Sequence, residues 1–424
     1  MSAVFDSALL EAASATSDEL AAALAVPPSV DPADDYGPTS PRWRDQSLSK
    51  GAAGVAVLHG LRAQHRLGGQ EPLHAWLARA TRDDLSAGPG AGLWFGAPAI
   101  AFALATAAPG SYRGAMTRLD ASITQLVHTR LEAAHTRMDH GLRPSPNEFD
   151  LVRGLTGLGA YLLTRDPDGD LVRRVLAYLV RLTEPVTASD EAGPSAPGWW
   201  TADTPSGSYD PRFDAGHANL GMAHGIAGPL ALLAISARRG VQVPGHTAAI
   251  DTISRWLDTW QHTAPAGPWW PERITLDELR TGRSLQGGPA RPSWCYGTPG
   301  LARAQQLAAL AVGDRTRQQA TEDALARCLA DENQLASITD PALCHGWAGL
   351  VATAWHAAND AATPTLATHL PHLLEQLLRH ARDLPPGALP GLIEGSAGIA
   401  LTLHTVATAA IGTPGGWTTC LLLN

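Results

Sequence analysis

The chain has 424 residues, and its 45% hydrophobic and 17% charged residues exclude a disordered or coiled-coil protein. A net charge of −9 argues against a nucleic-acid partner, which would favour a basic surface. No apolar run reaches the roughly 20 residues of a membrane helix, and the acidic N-terminal stretch lacks the basic region of a secretory signal. Four cysteines in a chain of this length predict reduced thiols in a cytoplasm and not a disulfide scaffold.

A Gly-x-x-Gly signature followed by an apolar stretch recurs seven times along the chain. The copies are KGAAGVAVL from Lys50, FGAPAIAFALAT from Phe95, RGLTGLGAYLL from Arg153, HGIAGPLALLAI from His224, YGTPGLARAQQLAAL from Tyr296, HGWAGLVATAW from His345 and EGSAGIALTLHTV from Glu394. The second copy is degenerate, because Ala99 replaces its second glycine. The first glycines stand 45 to 72 residues apart, so each interval has room for two helices and their connections.

Two kinds of helix alternate in these intervals. The segments after the glycines are apolar on nearly all sides, as over residues 229–236, which predicts helices that are buried all round. The intervening segments, such as LVRRVLAYLVRL from Leu171, are amphipathic and predict half-exposed helices. Seven buried helices sheathed by amphipathic ones predict an all-α fold, an α/α toroid (barrel) of seven helical-hairpin repeats. We expect residues 1–424 to form this single domain, with the glycine loops at one end of the barrel.

Two long stretches interrupt the repeat, at residues 187–215 and 263–292. Both are rich in Pro, Gly and Trp. Long loops in a compact domain are more often functional than not. We therefore expect these insertions to form surface loops at the rim of a substrate site; ordinary decorative loops are the alternative.

The repeat brings two cysteines and a histidine to matching positions. Cys295 and Cys344 each stand two residues before the first glycine of consecutive units, and His345 stands one residue before. Equivalent positions in neighbouring units are close in a ring, so these side chains predict a Cys₂His zinc site. Three ligands with an open fourth position are typical of a catalytic zinc, one per chain. Cys328, in an amphipathic segment, and Cys420 are expected in the core instead.

Further polar residues fall on the same loops. His224 stands one residue before its glycine and is a candidate general acid or base, with a structural role as the alternative. Asp150 and Arg291 precede the glycines of the third and fifth units, and Asp150 has helix capping as its alternative role. Trp294 and Trp347 are candidates for substrate binding; plain core packing is the alternative, and for any single tryptophan it is the better one.

These segments resemble a known family. SWCYGTPG, CHGWAG and NLGMAHGIAG are similar to the zinc-binding and catalytic motifs of the lanthipeptide cyclases, the LanC family. Asp150 in FDLVRGLTGLG and Arg291 in ARPSWCYG also match that family's pattern. The resemblance extends from about residue 50 to residue 410 and includes the glycine repeat. The two insertions match no motif of the family.

The resemblance implies a reaction. Such enzymes add peptide cysteine thiols to dehydroalanine or dehydrobutyrine and close lanthionine or methyllanthionine thioether rings, with Zn²⁺ activating the thiol. It implies that His224 is the proton donor, that Arg291 orients or stabilises the enolate, and that Asp150 orients His224 while Tyr296 assists. The substrate would be a dehydrated precursor peptide, leader plus core, supplied by a separate dehydratase.

The sequence leaves the setting and two other functions open. A cytoplasmic protein is expected, working alone or in a complex with a dehydratase and a transporter, which would attach it peripherally to a membrane. A non-catalytic peptide- or glutathione-binding member of the same fold is one alternative. A zinc hydrolase is the other, although such sites more often use His and carboxylate ligands. A zinc-dependent dehydrogenase is disfavoured, because no Gly-x-Gly-x-x-Gly follows a strand.

Overall fold

The computed structural model describes residues 4–29, 41–187, 195–205, 208–385, 387–408 and 416–424. Within these ranges the chain forms eighteen α-helices and six short strands. No helix in the same ranges is long and apolar enough to cross a membrane. The chain is mostly helical, as the repeat predicts.

The helices that follow the glycine loops form an inner ring. They are α3 (Ala52–Gln64), α5 (Ala97–Ala107), α8 (Leu155–Arg165), α10 (Ala227–Arg238), α13 (Thr298–Val312), α16 (Trp347–Asp360) and α18 (Ser396–Ala407). In α10 every residue from Ala227 to Ser236 is buried, since a helix without a polar face has to be covered on every side. Each of these helices contacts the next along the chain, and α18 contacts α3, so the ring is closed. The prediction of an α/α toroid is confirmed.

Amphipathic helices surround this ring. They are α4 (Glu71–Ala80), α6 (Arg113–Asp139), α9 (Asp170–Arg181), α11 (His246–Thr259), α14 (Arg315–Ala330) and α17 (Leu370–Arg382). Each packs on the inner helix that precedes it. In α9 the inward face buries Val172, Val175 and Leu179, and each such side chain contributes about 1.5–3 kcal/mol when it leaves water. Four short helices fill connections, namely α2 (Pro41–Asp45), α7 (Pro146–Phe149), α12 (Leu276–Thr281) and α15 (Glu332–Leu335).

The seventh outer helix comes from the N-terminal part of the chain. Helix α1 (Ser7–Ala23) packs against α18 and α17, and the Ser17 hydroxyl donates to the carbonyl oxygen of Ala400 at 2.8 Å. The indole N–H of Trp76 in α4 donates to the carbonyl of Leu24, just after α1, at 2.6 Å. Helix α1 thus completes the outer ring between α17 and α4.

The seven glycine loops meet at one end of the barrel, here called the glycine-loop end. Backbone hydrogen bonds join neighbouring loops around this end. They are Leu48 N to Trp94 O, Leu151 N to Ala223 O, Met222 N to Cys295 O, Cys295 N to Cys344 O, Cys344 N to Ile393 O, and Leu392 N to Leu48 O. Between the second and third loops, Arg130 of α6 bridges, donating to the carbonyls of Ala91 and Arg153. These hydrogen bonds hold the loops that carry the candidate site residues next to one another.

The two insertions contain short strands. The first carries β1 (Val186–Thr187) paired with β2 (Ser195–Ala196), and the second carries β4 (His262–Ala264) paired with β5 (Gly267–Trp269). An antiparallel pair links β3 (His217–Asn219), just after the first insertion, to β6 (Arg273–Thr275) in the second. The predicted surface loops are therefore partly replaced by strands; residues 188–194 and 206–207 of the first insertion lie outside the described residues.

Residues 417–424 pack inside the inner ring. The turn over Trp417–Leu421 contacts α8, and the Trp417 indole donates to the Thr405 hydroxyl of α18 at 3.0 Å. From α13, the buried guanidinium of Arg303 donates to the carbonyl of Leu423 at 2.7 Å. Since α8, α13 and α18 lie in different parts of the ring, these residues fill its central space.

Candidate metal centre and active site

Two neighbouring glycine loops bring the predicted zinc ligands together. Cys295 lies in the loop before α13, and Cys344 and His345 lie in the loop before α16. The backbone N–H of Cys295 donates to the carbonyl of Cys344 at 3.3 Å, which aligns the loops side by side. The ligand atoms of the three side chains all lie within 4.8 Å of one another. The structure thus places them where the repeat frame predicts.

The donor set fits a zinc ion. Ligand atoms on a tetrahedral zinc are roughly 3.3–3.8 Å apart, given Zn–S of about 2.3 Å and Zn–N of about 2.0–2.1 Å. The separations here, up to 4.8 Å, close to that range with small side-chain movements. Two thiolates also match the charge of a divalent cation. In the described part of the chain this is the single group of three or more such ligands. Because the group has three members, a tetrahedral ion bound here would keep its fourth position open.

The ionisation of Cys295 and that of Cys344 depend on each other. A hydrogen bond from Cys344 holds the pKa of Cys295 well below its usual range, and the same bond raises the pKa of Cys344. The hydrogen bond with Cys295 also raises the pKa of His345. A bound divalent cation favours the thiolate of both cysteines and the neutral imidazole. Within the cluster itself one thiolate is favoured and a second is disfavoured, so the second thiolate would need the positive charge of a bound cation.

Asp340 and Arg291 flank His345, the candidate histidine ligand. The Nε2 atom of His345 lies 3.8 Å from the Asp340 carboxylate, and a guanidinium nitrogen of Arg291 lies 3.9 Å from the same oxygen atom. Asp340 also accepts from the backbone N–H of Ala342 at 2.9 Å, so the carboxylate is held by its own loop. Carboxylates beside a metal-ligating imidazole orient it. Sequence reasoning missed Asp340, although it stands six residues before Gly346, as Arg291 stands six before its own glycine.

His224 and Asp150 form a second pair on adjacent loops. The Nδ1 atom of His224 lies 2.7 Å from the Asp150 Oδ2 atom. The Asp150 side chain is fully buried, whereas that of His224 is 45% exposed. The other Asp150 oxygen accepts from the backbone N–H groups of Arg153 and Gly154 at 2.6 and 2.8 Å. Asp150 thus makes both the capping contacts and the contact with His224 that the sequence left as alternatives.

Tyr296 is held by residues of the paired strands β3 and β6. Asn219 donates to its phenol oxygen at 2.8 Å, and the Arg273 guanidinium lies over its ring, 5.0 Å from the centroid. Burial raises the pKa of Tyr296, and Arg273 and Asn219 oppose this shift. Asn219 and Arg273 were not identified from the sequence. The one sequence feature that could have pointed to Asn219 is its place at the start of the NLGMAHGIAG segment.

The two tryptophans proposed to bind substrate, Trp294 and Trp347, are both buried. Trp294 is 1% exposed and Trp347 is 3% exposed. The Trp294 indole donates to the carbonyl of Leu421 in the centre of the barrel, at 2.9 Å. Large aromatic side chains gain most from burial, and both rings are packed in the protein, although Trp347 also lines a cavity with Leu335, His372 and His380.

The remaining cysteines lie apart from the cluster. Cys328 in α14 is 1% exposed and Cys420 is fully buried. Burial raises the pKa of Cys328 to about 12 and also raises that of Cys420. Both are core thiols, as the sequence predicts.

Three comparisons relate the chain to known proteins. A family model described as "Lanthionine synthetase C-like protein" matches residues 42–422. "Nisin biosynthesis protein NisC" from Lactococcus lactis subsp. lactis is 23% identical over 247 residues, 57% of this chain and 55% of that protein, so the chain spans about half the length of this curated relative. A solved structure named "Nisin cyclase" superposes with a TM-score of 0.72 at 18% identity, over 90% of this chain and 93% of that one. At that identity the likeness shows a shared fold.

Proposed function

The chain belongs to the lanthionine synthetase C-like family, and on that premise we propose that it is a zinc-dependent lanthipeptide cyclase. It joins cysteine thiols to dehydroalanine or dehydrobutyrine residues of a dehydrated precursor peptide, leader plus core, and forms lanthionine or methyllanthionine rings. The observation that carries the proposal is the Cys295–Cys344–His345 cluster within 4.8 Å, together with the His224–Asp150 pair, of which His224 lies on the glycine loop next to that of Cys295.

The proposed reaction balances without a further reagent. The thiol loses its proton, a C–S bond forms at the β-carbon, and the electron pair of the C=C bond moves onto the α-carbon and its carbonyl as an enolate. A proton then joins the α-carbon. The proton lost and the proton gained are equal in number, so no oxidant, reductant or leaving group takes part.

The ligands and their surroundings suit a sulfur nucleophile. A zinc ion held by Cys295, Cys344 and His345 would supply a thiolate at neutral pH from a thiol bound in the open position. Cys344 and His345 are partly exposed, so a peptide can reach the cluster. The Asp340 carboxylate, 3.8 Å from His345 Nε2 and 3.9 Å from Arg291, is the proposed partner that would orient the His345 imidazole.

The enolate needs charge stabilisation and a proton. His224 is the proposed proton donor, because Asp150 occupies its Nδ1 and leaves Nε2 for the substrate. Asp150 supports the protonated imidazole and fixes its orientation. The Arg291 guanidinium is 37% exposed and only loosely paired with Asp340, so its N–H donors remain available to an enolate oxygen. Tyr296 assists as a further donor.

The proposed partners follow from this chemistry. We propose that residues 1–424 form one cyclase domain and that a separate dehydratase delivers the dehydrated precursor peptide. A cytoplasmic location, with peripheral attachment to a complex of dehydratase and transporter, is part of the same proposal. The strand-bearing insertions join next to Tyr296 and are the proposed contact surface for the precursor.

Thiol consumption in a model peptide tests the function. A synthetic peptide with one dehydrobutyrine and one cysteine is incubated with the zinc-loaded protein, and free thiol is followed by alkylation and mass spectrometry. We expect the thiol to disappear without a change in peptide mass, faster than in buffer, and a chelator to abolish the acceleration. If the peptide binds but its thiol is lost no faster than in buffer, the protein is a non-catalytic binding protein. If the peptide is cleaved into fragments whose summed mass is greater by one water, the protein is a hydrolase.

A further inference from the structure

The strand pair β3–β6 places two side chains on the phenol of Tyr296. In its register Asn219 lies opposite Arg273. Asn219 meets the phenol oxygen at 2.8 Å, and the Arg273 guanidinium covers the ring at 5.0 Å. Gly221 lies on the ring as well, since a Cβ atom there would stand 2.6 Å from Tyr296 Cε1. Three residues from the insertion strands and the following loop thus fix the position of this ring.

The direction of the hydrogen bonds at the phenol follows from the backbone. The N–H of Gly221 points at the Asn219 side chain at 2.9 Å, and because a backbone N–H can only donate, the atom it meets is the carbonyl oxygen Oδ1. The amide nitrogen of Asn219 must then face Tyr296, where it donates. The Arg273 guanidinium is likewise a donor without acceptor atoms. Asn219 therefore uses the phenol oxygen as an acceptor, and the Arg273 guanidinium over the ring offers the O–H no acceptor, so neither neighbour engages the O–H proton.

We propose that Asn219 and Arg273 are positioning residues that keep Tyr296 a hydrogen-bond donor towards the reacting peptide. This inference rests on the proposed cyclase function and names residues outside the set assigned above. Tyr296 directly follows the ligand Cys295, so its loop is already fixed beside the metal cluster. The insertions then serve the chemistry directly, by orienting one donor.

Reversing the polarity at residue 219 tests this role. In Asn219→Asp one carboxylate oxygen still accepts from Gly221, but the other faces Tyr296 as an acceptor and draws the phenol O–H away from the substrate. We expect kcat to fall about tenfold and KM to stay within about twofold, as for an interaction made in the transition state. The matched control is Asn333→Asp on the exposed end of α15, which should keep the wild-type rate.

A double-mutant cycle separates positioning from a general structural effect. Residues that act only through Tyr296 lose their influence once the hydroxyl is gone. In the Tyr296→Phe background, Asn219→Asp should therefore change kcat by less than about twofold. A further tenfold loss in that background, or a wild-type rate for Asn219→Asp alone, would overturn the proposal. If Asn219→Asp does not fold, Arg273→Gln takes its place in the cycle with the same expectations.

Ultraviolet resonance Raman spectra give a readout that does not require turnover. The tyrosine doublet reports whether a phenol accepts or donates, and the Tyr296→Phe variant identifies the contribution of this residue. We expect an acceptor signature in the wild type and a donor signature in Asn219→Asp. An unchanged doublet overturns the inferred orientation. Absence of thiol addition by the wild type, with the Raman change present, would instead contradict the proposed function and leave the orientation supported.

Discussion

His224 is the residue on which the proposed proton transfer depends. Its Nδ1 faces the buried Asp150 carboxylate at 2.7 Å, and nearly half of its side chain is exposed. We predict that His224→Ala keeps its fold and its zinc but closes thioether rings about 10²- to 10⁴-fold more slowly, the usual cost of losing a positioned acid or base. The rate is measured by thiol alkylation after subtracting the uncatalysed addition.

The control for this variant is His140→Ala, an exposed histidine at the end of α6, which should cyclise at the wild-type rate. A wild-type rate in His224→Ala would assign His224 a structural role and pass the protonation to Tyr296 or water. Loss of zinc in His224→Ala would place it in the coordination sphere.

At the scale of the elements, the second glycine of each signature explains why the repeat is visible in the sequence. A Cβ atom at Gly349 would stand 2.0 Å from the carbonyl oxygen of Leu343, and one at Gly300 would stand 2.1 Å from that of Trp294. Every inner helix except α5, where Ala99 stands at this position, therefore touches the loop that precedes it through a glycine. In the unit that carries Cys344 and His345, this contact fixes Leu343, the residue next to Cys344.

We predict that Gly349→Ala costs roughly 1–3 kcal/mol of unfolding free energy, as overpacking of a core usually does. It should also weaken zinc binding, because Leu343 moves together with Cys344. The matched control is Gly114→Ala in α6, where the nearest atom to a Cβ is 3.9 Å away; there the change is neutral or stabilising by up to about 1 kcal/mol. Equal unfolding midpoints for the two variants in denaturant would contradict the tight contact.

For the whole molecule, the sequence predicted the features that follow from hydrophobic periodicity. It did not predict contacts between segments that are far apart in the chain. The apolar and amphipathic periods predicted both rings, and matching loop positions predicted that Cys295 and Cys344 are close. The closure by α1, the filling of the barrel by residues 417–424 and the β3–β6 pair were not predicted. Periodicity reports that a face is buried and does not report which partner covers it.

The zinc content of matched cysteine variants tests the central claim most directly. Cys295 and Cys328 are both buried, but only Cys295 belongs to the cluster. Metal analysis of the purified proteins should find one zinc per chain in the wild type and in Cys328→Ala, and loss of the metal together with cyclase activity in Cys295→Ala. Full zinc retention and turnover in Cys295→Ala would contradict the account.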